Sequence, residues 1–402
     1  MPRDPREQTP SHRDDLRRGG EPSLSDWLVR DGRALPDNSA LLAGFCERVF
    51  AAGVPVDRVS LHQRAFHPQY RGVSRIWRPG QPVEQTFLDH GIEKTATYLE
   101  SPVRRVIEDR QSLDWRLDGN APLPYPVLEE LRDQGYTHYA IVPLVYAAGT
   151  VNAFSWATRQ AGGFGTGDME LVRDVLPAFA AVAEGKALLR FIGGILNTYV
   201  GDEAGQLILK GQVRRGDVRT ITAALMLVDL RDFTEMSDRL SPRAVIRTLN
   251  QYFDCVIPPV REHGGEVVEI MGDGVLAIFH QGAVRNAAEA CGSALAAARA
   301  GLAALLEHNR RHPATLLRAG VALHYGTVSY GNIGADNRLD FTVIGPDVNL
   351  TSRIERLCRE LDRSLIMSEA FADTLDVPLW EIGHFEMRGF AKMQRLFELP
   401  HD

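Results

Sequence analysis

Glu266–Phe279 reads EVVEIMGDGVLAIF, two short apolar β-prone segments hinged on Gly-Asp-Gly, with the carboxylate of Asp273 between them. A second carboxylate, Asp229, ends the apolar run TAALMLVDL that starts at Thr222. Two Asp residues at strand ends can share divalent cations. Mg²⁺ takes hard oxygen ligands and keeps open positions for phosphate oxygens, so the pairing points to phosphoryl chemistry. Two such ions about 4 Å apart can activate an attacking oxygen and steady a leaving one. Either Asp by itself is better explained as turn chemistry, because Asp beside Gly is a common turn pair.

The segment Leu339–Glu355 reads LDFTVIGPDVNLTSRIE: a β-prone run, the breaker Gly345-Pro346, then helical spacing through Val348, Ile354, Leu357 and Leu361. Asn349 and Arg353 lie four apart and share one helix face near its N-terminus. An amide and a guanidinium there can hold a ribose and a phosphate, since Arg presents a planar fork of donors. A solvated face beside Glu355 and Arg356 explains the same residues equally well.

Together these segments resemble the catalytic domain of the class III nucleotide cyclases, the adenylate and guanylate cyclase family, over about Gly201–Pro400. VDLRDFT (Val228–Thr234) resembles the family's first metal-Asp strand and phosphate loop, with Asp229, the backbone carbonyl of Leu230, Asp232, Phe233 and Thr234 in the matching places. IMGDG (Ile270–Gly274) resembles the hairpin of the second metal Asp, here Asp273. FTVIGPDVNLTSR carries the ribose-orienting Asn349 and the transition-state Arg353, and LKGQVRRGD (Leu209–Asp217) resembles the lead-in from a regulatory domain. The fold this implies is an α/β (α+β) sandwich: a mostly antiparallel sheet with helices over one face, and the metal Asp residues near its centre. No GGDEF-like sequence of the diguanylate cyclases, which share that architecture, is present.

Three positions depart from the family pattern. Asp232 stands where the phosphate loop usually has Gly, which places negative charge beside a triphosphate and alters the backbone's freedom. Phe390 occupies the place in which some members carry a triphosphate-binding Lys, with Arg388 and Lys392 nearby. Glu269 stands where adenylate cyclases of the family usually have Lys and guanylate cyclases have Glu. A carboxylate accepts from the N1–H and N2–H₂ of guanine and repels the bare N1 of adenine. The second base-reading position, Thr342, donates or accepts and does not discriminate. Leaving a carboxylate unpaired against the wrong base costs on the order of 1–3 kcal/mol. GTP is therefore the expected substrate, with ATP as the alternative.

The resemblance implies two Mg²⁺ or Mn²⁺ ions on Asp229, Asp273 and the Leu230 carbonyl, and in-line attack of the ribose 3′-OH on the α-phosphate with loss of pyrophosphate. It also implies that the metal Asp residues and the base, ribose and transition-state residues of one site come from opposite subunits of a head-to-tail homodimer. Another class of function is a degenerate cyclase domain that binds nucleotide without turnover.

The first half differs in character. Residues 1–23 are charged, bear Pro and Gly and are poor in apolar residues, which predicts a disordered tail without the apolar core of a signal peptide. A helix from Ser39, strands around Val59–Phe66 and Val73–Trp77, a strand pair within Tyr139–Trp156 and a helix over Asp168–Ala187 follow. This order resembles a GAF-type sensor domain over residues 24–184, with an unidentified small-molecule ligand. Trp77, Tyr98, Trp115, Tyr136, Tyr139 and Trp156 can line a pocket, but aromatics in such a domain are more often core. Cys46 and His62, His67, His90 and His138 lack metal-ligand spacing. Residues 185–217 form a helical linker, weakened or kinked at Gly193-Gly194, and residues 218–402 the catalytic domain.

Composition agrees. The 402 residues are 44% hydrophobic and 24% charged, enough for two cores, and a net charge of −7 without a basic run excludes nucleic acid as the expected partner. Four scattered Cys fit a reducing cytoplasm. Ala287–Leu306 is weakly polar, but Arg299 and its small residues suit a packed helix better than a membrane span. Pro258-Pro259 should kink or end the helix of Arg243–His263.

Overall fold

The computed structural model describes residues 22–400 apart from 66, 68, 283, 284 and 314, so nearly all of the expected 1–23 tail lies outside the described residues. The chain divides into two compact units between Ile195 and Leu196.

In the N-terminal unit, helices α1 (Leu24–Arg30) and α2 (Asn38–Ala51) precede strands β1 (Arg58–Arg64), β2 (Gly72–Trp77) and β3 (Glu84–Leu88). Helix α3 (Pro102–Asp109), β4 (Leu113–Arg116), α4 (Pro126–Asp133), β5 (His138–Val145) and β6 (Val151–Thr158) complete it. The six strands form one antiparallel sheet in the order β3-β2-β1-β6-β5-β4. Four of the six aromatics are buried, with Trp77 and Trp156 in one core cluster and Tyr136 and Tyr139 in another, so their main role is packing. Helix α5 (Thr166–Val200) closes the unit and runs across the division point without a break at Gly193-Gly194. Val172, Val175, Leu176, Phe179, Ala180 and Ala183 are buried, and this tertiary packing fixes the helix over the turns before the two glycines.

The C-terminal unit opens with α6 (Asp202–Leu209) and the long strand β7 (Val218–Leu230). Helices α7 (Phe233–Arg239) and α8 (Pro242–Glu262), the hairpin β8 (Glu266–Met271)–β9 (Gly274–His280) and α9 (Ala287–Arg311) follow. Strands β10 (Ala319–Ala335) and β11 (Arg338–Ile344), helix α10 (Pro346–Glu360), β12 (Leu365–Ser368), β13 (Trp380–Phe385) and β14 (Gln394–Glu398) end it. The sheet order is β13-β14-β12-β10-β7-β9-β8, with β11 on β10, and only β10–β12 is parallel.

Two expectations are corrected. Helices cover both faces of this sheet, not one. Ala224, Met226 and Val228 of β7 pack with residues of α8 and α9, while Ala223, Leu225 and Leu227 pack with residues of α10. The reason is legible in β7 itself: a continuous apolar run, unlike an alternating one, must be buried on both faces. Helix α8 runs through Pro258 and Pro259 to Glu262. The two prolines fall in its last turns and Pro259 is buried, so core packing outweighs the lost N–H groups. Helix α9 is long and apolar enough to cross a membrane by length and composition. It buries Ala290, Cys291, Ala294, Ala297 and Ala298 in the core, which accounts for its small side chains.

Candidate active site

Asp229 is the penultimate residue of β7 and Asp273 sits in the β8–β9 turn. Antiparallel pairing of Val228 with Val275 brings the end of β7 beside that turn. Gly272 has φ 67°, the left-handed backbone that a tight turn needs and glycine supplies freely. A Cβ on Gly274 would lie 3.5 Å from Asp229 Oδ1, an ordinary contact distance that places this end of the turn against Asp229.

The electrostatics of the pair follow from this crowding. Burial, and after it the charge of Asp273, push the Asp229 carboxyl up to about 6, although Arg359 and the Leu230 N–H act in the opposite direction. Asp273 is also raised, with burial as the largest cause. Glu355 of α10 is pushed up to about 7 by burial and by Asp229. The Tyr252 hydroxyl of α8 is buried without a hydrogen-bond partner among the described residues, and burial followed by the charges of Asp229, Asp273 and Glu355 raises its pKa. Hard oxygen donors that repel one another, beside a buried unpartnered hydroxyl, are a donor set that fits divalent cations. Arg359 supplies the cation seen there, with Nη2 3.0 Å from Asp229 Oδ2.

The phosphate-loop residues turn away from β7 at its end. Asp232 adopts φ 61°, ψ 22° and stands at the N-cap of α7, which begins with Phe233 and Thr234. Its left-handed backbone explains why glycine suits the position, and Asp is one of the few other residues that tolerates it. The added charge is offset locally, because Arg318 Nη2 is 2.8 Å from Asp232 Oδ2.

Glu269 and Thr342, chosen from sequence as the base-reading pair, meet directly: Thr342 Oγ1 donates to Glu269 Oε2 at 2.9 Å. Strand β8 carries a bulge between Val267 and Glu269, and β-bulges re-aim side chains. The two line a pocket of about 580 Å³ with Ile270, Arg338 and Phe341. Asn349 is exposed in the first turn of α10, and Arg353 Nη1 donates to the Asn349 carbonyl at 2.8 Å. The Arg353 guanidinium lies 5.5 Å from the Phe390 ring centroid, so Phe390 forms a cation–π contact where a Lys was considered.

The sequence-chosen residues thus form four groups: Asp229 with Asp273, the loop of Asp232, Phe233 and Thr234, Glu269 with Thr342, and Asn349 with Arg353. Arg359 and Glu355, which join the first group, and Arg318, which joins the loop, were missed. Ile354 and Cys358 are buried, and Glu355 and Arg359 each directly follow one of them, flanking the buried stripe of α10. Sequence alone does not separate such flanking charges from a solvated face.

Residues 218–397 match the family model of the adenylate and guanylate cyclase catalytic domain. An adenylate cyclase of Anabaena cylindrica is 30% identical over 200 residues, 48% of this chain and 38% of that protein. Adenylate cyclase 1 of Rhizobium meliloti (strain 1021) is 33% identical over 147 residues, 36% of this chain and 22% of that protein. The crystal structure of the guanylyl cyclase Cya2 aligns with TM-score 0.40 and 28% identity over 46% of this chain and 93% of that one. Residues 218–397 are therefore similar to the adenylate and guanylate cyclase catalytic domain. The chain spans well under half the length of either curated relative.

Proposed function

We propose that the protein converts a purine nucleoside triphosphate, with GTP preferred, into its 3′,5′-cyclic monophosphate and pyrophosphate. The observation that carries this reading is the Asp229–Asp273 pair, two part-buried carboxylates brought together by β7 and the β8–β9 turn. Asp229, Asp273 and the Leu230 carbonyl would hold two Mg²⁺ or Mn²⁺ ions, which would supply activation of the ribose 3′-OH and neutralisation of the triphosphate. The 3′ oxygen forms its bond to the α-phosphorus as the bond to the bridging oxygen breaks and pyrophosphate leaves. Arg353 meets the charge that builds on the α-phosphoryl oxygens, and Asn349 aligns the ribose. Phe233 and Thr234, with Asp232, begin the turn against which the triphosphate rests.

Base choice rests on Glu269. With the Thr342 hydroxyl donated to Glu269, the pair presents lone pairs outward, which suits the N1–H and N2–H₂ of guanine. The second reading is ATP, favoured by the names of the two adenylate cyclase relatives. Product formation from GTP and ATP, offered separately and together with Mn²⁺ or Mg²⁺, decides between them. Dominant cGMP supports the Glu269 reading and dominant cAMP overturns it. Nucleotide binding without pyrophosphate release would instead mark a degenerate regulatory module.

Asn349 lies ten residues before Arg359, about 15 Å along α10, while Arg359 is the residue that touches Asp229. This spacing supports a head-to-tail homodimer in which each site takes its carboxylates from one subunit and its Asn349 and Arg353 from the other. The N-terminal unit, a six-stranded antiparallel sheet with flanking helices, is proposed as a GAF-type sensor of a small molecule that acts through α5. Four buried free cysteines accord with a cytoplasmic setting.

A further inference from the structure

We infer that Arg359 occupies the cation seat of the Asp229–Asp273 centre in the metal-free protein and must leave it when a divalent ion binds, so that this arginine sets the ion's affinity. The inference rests on the metal-dependent cyclase reading and adds a residue to it.

Three observations carry it. Arg359 Nη2 lies 3.0 Å from Asp229 Oδ2, and among the described residues it is the only cation within ion-pair distance of Asp229. The oxygen it holds belongs to one of the two carboxylates that the end of β7 and the β8–β9 turn bring together, so the guanidinium sits where a metal ion would. The arm is also free to leave: the Arg359 side chain is 60% exposed against 22% for Asp229. It belongs to the last turns of α10, where rotation about its own side-chain bonds carries the guanidinium into solvent without moving the backbone.

A guanidinium and a divalent cation cannot both sit against Asp229 Oδ2, since their like charges repel at contact distance. Metal binding therefore includes breaking one partly exposed ion pair and retaining a unit positive charge nearby. Both effects weaken the ion's affinity, and both vanish in Arg359→Ala. Exposed pairs of this kind and a neighbouring charge in high dielectric support an affinity gain of about three- to tenfold.

The test is Mn²⁺ binding to the full chain without nucleotide, followed by loss of the free-ion electron paramagnetic resonance signal. Four proteins are compared: wild type, Arg359→Ala, Arg356→Ala and Asp273→Ala. Arg356 is 80% exposed and pairs with Glu360 at 3.0 Å, so its removal changes net charge equally without touching Asp229. The expected result is about three- to tenfold tighter binding for Arg359→Ala, little change for Arg356→Ala, and loss of binding for Asp273→Ala. Arg359→Ala binding no tighter than Arg356→Ala, with Asp273→Ala still defective, overturns the role of Arg359 alone. Undiminished binding by Asp273→Ala overturns the metal centre itself, and the inference with it.

Discussion

Both units bury charge, but in opposite ways. In the N-terminal sheet, Arg75 is 2% exposed and its charge is absorbed by neutral partners: Nη1 donates to Gln63 Oε1 at 2.6 Å and Nε to Ser39 Oγ at 3.0 Å. Asn38 Nδ2 donates to the same Gln63 oxygen at 3.2 Å and to the Ala183 carbonyl at 3.0 Å, which ties α2 to α5. In the C-terminal unit, burial raises Asp229, Asp273 and Glu355, with Asp273 adding to the rise of Asp229 and both aspartates to that of Glu355. A network in which neutral acceptors take up a buried charge is a structural device. A cluster whose charges repel is a site that needs a cation.

The largest effects should separate these two kinds of burial. Arg353→Ala is expected to lower turnover by about 10²–10³-fold through loss of transition-state charge stabilisation, with urea unfolding unchanged. Arg75→Ala is expected to cost about 1–3 kcal/mol by removing two buried or part-buried hydrogen bonds, to Gln63 and Ser39, visible in the same unfolding curve. An Arg353 variant that unfolds early and retains turnover would reverse the assignment.

Mixing Asp273→Ala with Arg353→Ala protein comes next. Random pairing yields heterodimers with one intact site, and restored activity of about a quarter of wild type is the expected outcome. Failure to rise above the parent variants would break the shared-site arrangement. Exchange of Glu269 for Lys should then shift the ratio of cGMP to cAMP by about tenfold or more toward cAMP. An unchanged ratio would show that Glu269 serves only Thr342.

The pH dependence of the metal-free protein is a smaller signal. Asp229 at about 6 and Glu355 at about 7 lie above the ordinary carboxylate range. Between their unfolded and folded values the native state therefore holds more protons than the unfolded chain. The contribution of these groups to stability is present near pH 4 and is lost as pH rises through about 6 to 7. Mn²⁺ affinity moves the other way and weakens as pH falls through that window, because the ion needs the carboxylates ionised. Thermal unfolding with and without Mn²⁺ at pH 5 and pH 8 should show the ion's stabilisation growing with pH.

Much of the catalytic unit was legible because its motifs are local. The turn glycines around Asp273, the apolar run before Asp229 and the Gly345-Pro346 break before α10 each announce an element within a few residues. The meeting of Glu269 and Thr342 was legible only through the family resemblance, since it depends on a bulge in β8 and on β11 reaching β8. Arg359 and Glu355 were hidden because their partners lie about 80–130 residues away on β7 and in the β8–β9 turn. The prolines of α8 misled for a related reason: local rules foresee the lost hydrogen bonds, while the burial of Pro259 that compensates for them is tertiary.

The most direct test of the central claim is cyclic nucleotide and pyrophosphate formation by the full chain with GTP and Mn²⁺, wild type beside Asp273→Ala. The account predicts cGMP and pyrophosphate in equal amounts from the wild type, and a near-inactive variant whose metal-free form is at least as stable because one repelling carboxylate is gone. Equal turnover by the two proteins would contradict it.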